Sequence, residues 1–218
     1  MKTQDSLIAD FTHGSIPPQL MRFAAPLFLS SLLQILYNTV DMVVVGQATG
    51  SVGLSAVSVG GDVISFLTFI AIGFSNAGQV IISQLIGAGQ ARRIADFTVT
   101  LSVTLLSLAV LLSAVCYALR GQILHWMNTP PDAYVEALRY ATVCILGLVF
   151  IFGYNMVSAV LRGMGDSAHP LLFIGLASLM NIALDLLLVL RFHMGTRGAA
   201  IATVSSQAIS FLSCAVFL

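Results

Sequence analysis

The chain has 218 residues, 58% of them hydrophobic and 8% charged, with a mean hydropathy of +0.97. Nine basic residues balance nine acidic ones, which excludes recruitment of nucleic acid by bulk charge, and the apolar excess excludes a water-soluble domain. The composition is that of an all-α membrane protein.

Residues 1–18 are polar and read as a cytoplasmic N-terminal segment, and residues 19–218 read as a transmembrane bundle. The first apolar segment is long and lacks the short, small-residue cleavage pattern of a signal peptide, so it is expected to be kept as a helix. A run of roughly 20 apolar residues spans the hydrocarbon as a helix. Uncharged runs of 29, 23, 22 and 21 residues occur at Val63–Ala91, Phe97–Leu119, Tyr140–Leu161 and Gly198–Leu218. Two further spans each hold one acid, Asp41 in the first and Asp185 in the fifth. Six helices are expected, at about 20–45, 53–86, 94–119, 134–161, 170–190 and 198–218.

The breaks carry turn chemistry: GQATGSVG, GAGQARR, RGQILHWMNTPPD, RGMGDSAHP and RFHMGTRG. Trp126 and a Pro-Pro pair place the third connector along the interface. The adjacent Arg92 and Arg93 in a short loop favour a cytoplasmic N-terminus. The chain stops at CAVFL inside an apolar run, and a continuation beyond it is expected.

An aspartate at the centre of a membrane helix costs on the order of 2.5–3.5 kcal/mol and normally faces a bundle interior, a wet cavity or an ion path. Asp41 and Asp185 each meet that cost, and each has a polar residue one turn earlier, Tyr37 and Asn181. Gln34, Tyr37, Asn38 and Asp41 form one polar stripe, and Thr203, Gln207 and Ser210 offer a second on the sixth helix. If both acids line one pocket, desolvation and repulsion disfavour two bare charges, so the pair titrates as a unit or holds a cation. Otherwise each acid only hydrogen-bonds a neighbouring helix and fixes packing.

Asp62 follows Gly60 and Gly61 near the start of the second helix, where it either lines the same cavity or faces water. Pro26, about four turns before Asp41, permits a kink and is a candidate hinge. Cys116, Cys144 and Cys214 all lie in apolar runs and read as packing residues. The four histidines lack ligand spacing, so no resident metal or cofactor is expected, and no nucleophile, phosphate-loop or Cys/His pattern marks an enzyme.

FAAPLFLSSLLQILYNTVDMVVVGQATG, LSAVS, GFSNAGQVIISQLIGAGQ, LRGMGDSAHP, NIALDLLLV and GAAIATVSSQ follow one another between about residues 15 and 210. In that order they resemble the first lobe of the multidrug and toxic compound extrusion (MATE) transporters, nearest the DinF-like branch. The resemblance implies one six-helix lobe of an antiporter of the cell membrane that expels organic, often cationic, drug-like compounds while H⁺ or Na⁺ enters. It implies a cation site at Asp41, Asn181 and Asp185, with Tyr37, Tyr140 and Thr203 as further members of that cavity. Bending on protonation is implied at Pro26. The partner so implied is a C-terminal six-helix lobe that this chain lacks. Two rival readings remain: a lipid-linked oligosaccharide flippase of the same superfamily, which would need a basic cavity, and a non-transporting membrane fragment or assembly subunit.

Overall fold

The structure, a computed structural model, describes residues 15–90 and 92–218. Residues 1–14, most of the expected cytoplasmic segment, lie outside the described residues. The described elements are helical: α1 (Ile16–Gly87), α2 (Arg92–Trp126), α3 (Tyr134–Leu146), α4 (Leu148–Gly163), α5 (Ala168–Asp185), a π-helical segment (Leu186–Arg191) and α6 (Gly195–Phe217). Helices are what an apolar chain must form in lipid, because each backbone N–H and C=O has to be bonded within the segment. The hydroxyls scattered through them follow the same rule. Those of Thr39, Thr49, Thr68 and Thr142 donate to the carbonyl four residues back, at 2.6–2.8 Å.

The expected GQATGSVG connector is reduced to a corner. Within α1 only Gly50 leaves helical geometry, at φ +67° and ψ −156°, a region essentially closed to residues with a Cβ. Gln34 and Ile72 line one cavity, yet 38 residues of straight helix would hold them roughly 57 Å apart. The chain therefore reverses at Gly50, and α1 consists of two side-by-side limbs, 16–49 and 51–87. The expected fourth helix is also broken: α3 and α4 meet at Gly147 with a 48° bend. Counting that bent pair as one and the limbs of α1 separately, the helices provide six membrane-length passes.

Helix α4 is the central post. Twelve of its sixteen residues are buried, and Leu148, Phe152, Val160 and Leu161 join Ile82, Leu105, Ile145 and Ile174 in the main core. At the end of the bundle away from Gly50, the Arg162 Nε donates to Gln79 Oε1 at 3.0 Å and the Ser83 hydroxyl to the Gly163 carbonyl at 3.1 Å. There Asp166 caps α5 by accepting the N–H groups of Ala168 and His169, both at 3.1 Å. At the opposite end the Thr196 hydroxyl donates to Glu136 Oε2 at 2.6 Å, tying the start of α6 to α3. Cys116, Cys144 and Cys214 are free and buried.

Candidate functional site

A cavity of about 410 Å³ lies between the two limbs of α1, with α3, α4 and α6 closing it. The first limb contributes the stripe read from the sequence: Gln34, Tyr37, Asn38 and Asp41 all line the cavity. Their spacing of three, one and three residues keeps them on one side of the helix. Helix α6 contributes Thr203 and Gln207, and α3 contributes Tyr140. Gln207 Nε2 donates to the Tyr37 hydroxyl at 3.5 Å, a contact between residues 170 positions apart. Asp62 also lines the cavity. Because the corner is one residue long, Asp62 stands twelve residues past Gly50, roughly 18 Å down the second limb, and not near a helix end as its expected position implied.

Asn181 and Asp185 occupy a different place from the shared wet chamber expected for the two acids. They lie on one face of α5, one turn apart, 1% and 0% exposed, and neither is on the cavity wall. Asp41 connects the two regions. It lines the cavity while only 5% exposed, and it is close enough to Tyr37, Tyr140, Cys144 and Asp185 to interact with each electrostatically. The carboxylates are thus arranged in series, one at the wall and one behind it. An apolar cluster of Val44, Val45, Val57, Val189, Ala199 and Ala200 packs nearer the corner; Val44 and Val45 follow Asp41 and Val189 follows Asp185 along the chain, so the polar compartment ends on that side.

Most of the unmet hydrogen-bonding demand of the described residues collects here. Eight buried side-chain polar atoms have no hydrogen-bond partner, and six of them are Asp41 Oδ1, both amide atoms of Asn181, both carboxylate oxygens of Asp185, and Gln207 Oε1. Buried polar groups are nearly always paired, so a concentration of orphans needs an explanation. Four of the six are oxygens of Asp41, Asn181 and Asp185, a hard-oxygen set able to hold a proton or a small cation of the Na⁺ type. Among the described residues no group of three or more His, Cys, Asp or Glu could hold a metal ion.

Sequence reasoning missed the wall formed by the second limb and α4. Ser58, Ser65, Thr68, Phe69 and Ile72 line the cavity, as do Ile151, Tyr154 and Asn155. A signal was present: Ser58, Asp62, Ser65, Phe69 and Ile72 recur at steps of four and three, the period of a single helix face. Pro26 lies inside α1 in a continuous helix, and the Ser30 hydroxyl donates to its carbonyl at 2.8 Å.

Comparison with known proteins identifies the family and the fold. The MatE family model matches residues 26–187. "Probable multidrug resistance protein YpnP" of Bacillus subtilis (strain 168) is 34% identical over 203 residues, which cover 93% of this chain and 46% of that protein. "DNA damage-inducible protein F" of Escherichia coli (strain K12) is 24% identical over 193 residues, 88% of this chain and 42% of that protein. Among solved structures, one described as MATE in the bent conformation superimposes with a TM-score of 0.86 at 27% identity, covering 92% of this chain and 44% of that one. A MOP superfamily transporter from Pyrococcus furiosus gives 0.85 at 27% identity, covering 91% and 44%. The chain thus spans about half the length of the curated relatives it matches. The family's members are transporters and not enzymes, and with its model matching well over half of the sequence, this chain belongs to the MatE family.

Proposed function

We propose that the chain is the N-terminal lobe of a cation-coupled drug exporter. Asp41, Asn181 and Asp185 bind the coupling H⁺ or Na⁺, and the cavity beside them receives an organic cation. Tyr37 and Thr203 complete the ion site from the cavity side. The observation that carries the reading is the set of orphaned oxygens on Asp41, Asn181 and Asp185. Two bare carboxylates in such a place are costly, and a proton or cation arriving there removes the cost. Ion occupancy then changes which helix arrangement is favoured, which is the requirement of alternating access. In this reading the N-terminus is cytoplasmic, the Gly50 corner faces outward in the cell membrane, Pro26 is the hinge, and a second six-helix lobe completes the drug path.

The cavity wall argues against the flippase alternative. Among the described residues it contains Asp41 and Asp62 and no Lys, Arg or His, so a pyrophosphate headgroup would meet like charge from them. The inert-fragment alternative is separated by experiment. In lipid nanodiscs, Na⁺ at a hundredfold its Kd stabilises a protein that binds it only when folded by about 2.7 kcal/mol. A melting temperature of the chain that responds to Na⁺ against K⁺, or to pH, is the expected result. Asp41→Asn and Asp185→Asn should each abolish the response. A wild-type chain that ignores both Na⁺ and pH is a structural bundle, and the proposal fails.

A further inference from the structure

The second limb of α1 brings a carboxylate to the cavity that the ion site does not use. Asp62 lies in the middle of the Ser58–Ser65–Phe69 stripe, roughly 18 Å past the Gly50 corner on a limb long enough to span a bilayer. An acid at that depth incurs a cost on the order of 2.5–3.5 kcal/mol, and one kept there normally serves a passing ligand or ion. No hydrogen bond or ion pair to Asp62 is found among the described residues, and its side chain is exposed. Asp41 lines the same cavity in the opposite condition, 5% exposed with Oδ1 unpartnered. One carboxylate is therefore shielded and can take only a small ion, while the other is open to a bulky one.

The surroundings of Asp62 narrow the ligand class. Among the described residues no basic side chain lines the cavity, so the field of Asp62 is not neutralised by them and is strengthened by low-dielectric walls. Phe69 lies two helical turns along the same stripe, and Tyr37, Tyr140 and Tyr154 are further aromatic lining residues. Aromatic faces with one accessible carboxylate suit a lipophilic cation that cannot donate hydrogen bonds, such as a quaternary ammonium or phosphonium.

We infer that Asp62 is the charge anchor for a lipophilic organic cation, distinct from the buried acids that take the coupling ion, and that it selects cations over uncharged compounds of similar shape. The inference rests on the proposed reading of the cavity as a drug path, and it assigns selection by charge to one residue.

The test uses the chain in phosphatidylcholine nanodiscs with tetraphenylphosphonium as cation and triphenylphosphine oxide as uncharged comparison, binding being read by calorimetry. Asp62→Asn should weaken tetraphenylphosphonium binding by at least about tenfold, and Asp62→Glu should stay within about threefold of wild type. Neither change should alter triphenylphosphine oxide binding, and Asp62→Asn should keep the thermal response to Na⁺ or pH. Wild-type affinity in Asp62→Asn, absence of tetraphenylphosphonium binding in the wild type, or loss of the ion response together with cation binding each overturns the assignment. If the wild type lacks any ion response while Asp62→Asn still loses the cation, the coupling proposal fails and this one stands.

Discussion

Tyr140 packs against the backbone of Gly60 so closely that a Cβ added at Gly60 would lie 2.6 Å from Tyr140 Cδ1. The contact joins α3 to the second limb of α1 two residues before Asp62, and Tyr140 is itself a cavity wall. The position of the tyrosine ring therefore depends on the missing side chain.

Replacing Gly60 by Leu should accordingly destabilise the chain by about 1–3 kcal/mol, the usual cost of overpacking a filled site. Tyr140→Ala in the same chain should recover much of the loss. Additive effects in unfolding titrations of the two single variants and the double variant would show that the contact is not what excludes a side chain.

Gly50 presents the opposite case. No atom lies within 4 Å of a Cβ built there, so any penalty is one of backbone angle alone. Gly50→Ala should cost on the order of 1–3 kcal/mol, and Gly50→Leu about the same. A penalty that grows steeply with side-chain size would contradict the conformational account.

Thr196 is fully buried and its hydroxyl donates to Glu136, whose other oxygen meets Arg139 at 2.7 Å. Thr196→Val keeps the shape and removes the donor, with an expected loss of about 1.5–3 kcal/mol, as for a hydrogen bond to a charged group. Thr196→Ser should restore most of it. Equal melting temperatures for the Val and Ser variants would remove the tie from the list of stabilising contacts.

Pro26 cannot donate to the carbonyl of Arg22, so the first limb lacks one rung of its ladder. Pro26→Ala supplies it. Backbone amides from 26 to 30 should then exchange more slowly with deuterated solvent, and a transporter carrying both lobes should lose efflux while keeping its ion-dependent thermal shift. Unchanged exchange would remove Pro26 as a hinge.

The fold was largely legible because an apolar chain in lipid has few options, and runs of the right length between charged breaks locate the passes. What escaped was local backbone. GQATGSVG reads as an eight-residue connector by composition, yet Thr49 and Ser51 continue the helices on both sides and a single glycine turns the corner. The break at Gly147 sits inside an unbroken apolar run, where periodicity carries no mark of a bend. The stripe from Gln34 to Asp41 was readable from spacing alone, as were the polar pairs Tyr37–Asp41 and Asn181–Asp185. Depth was not. That Asp185 lies behind the wall and Asp62 on it depends on how α5 and the second limb rotate against their neighbours, which one helix's sequence does not encode.

The corner at Gly50 has a mechanical result. Asp41 and Asp62 stand nine and twelve residues from one shared pivot, on arms of roughly 14 and 18 Å. Opening the angle between those arms by about ten degrees would part the two carboxylates by roughly 3 Å, as a pair of compasses spreads its points. Since the vertex holds one residue and no slack, little of such a swing could be absorbed there, and it would be delivered almost whole to the place where charge is held.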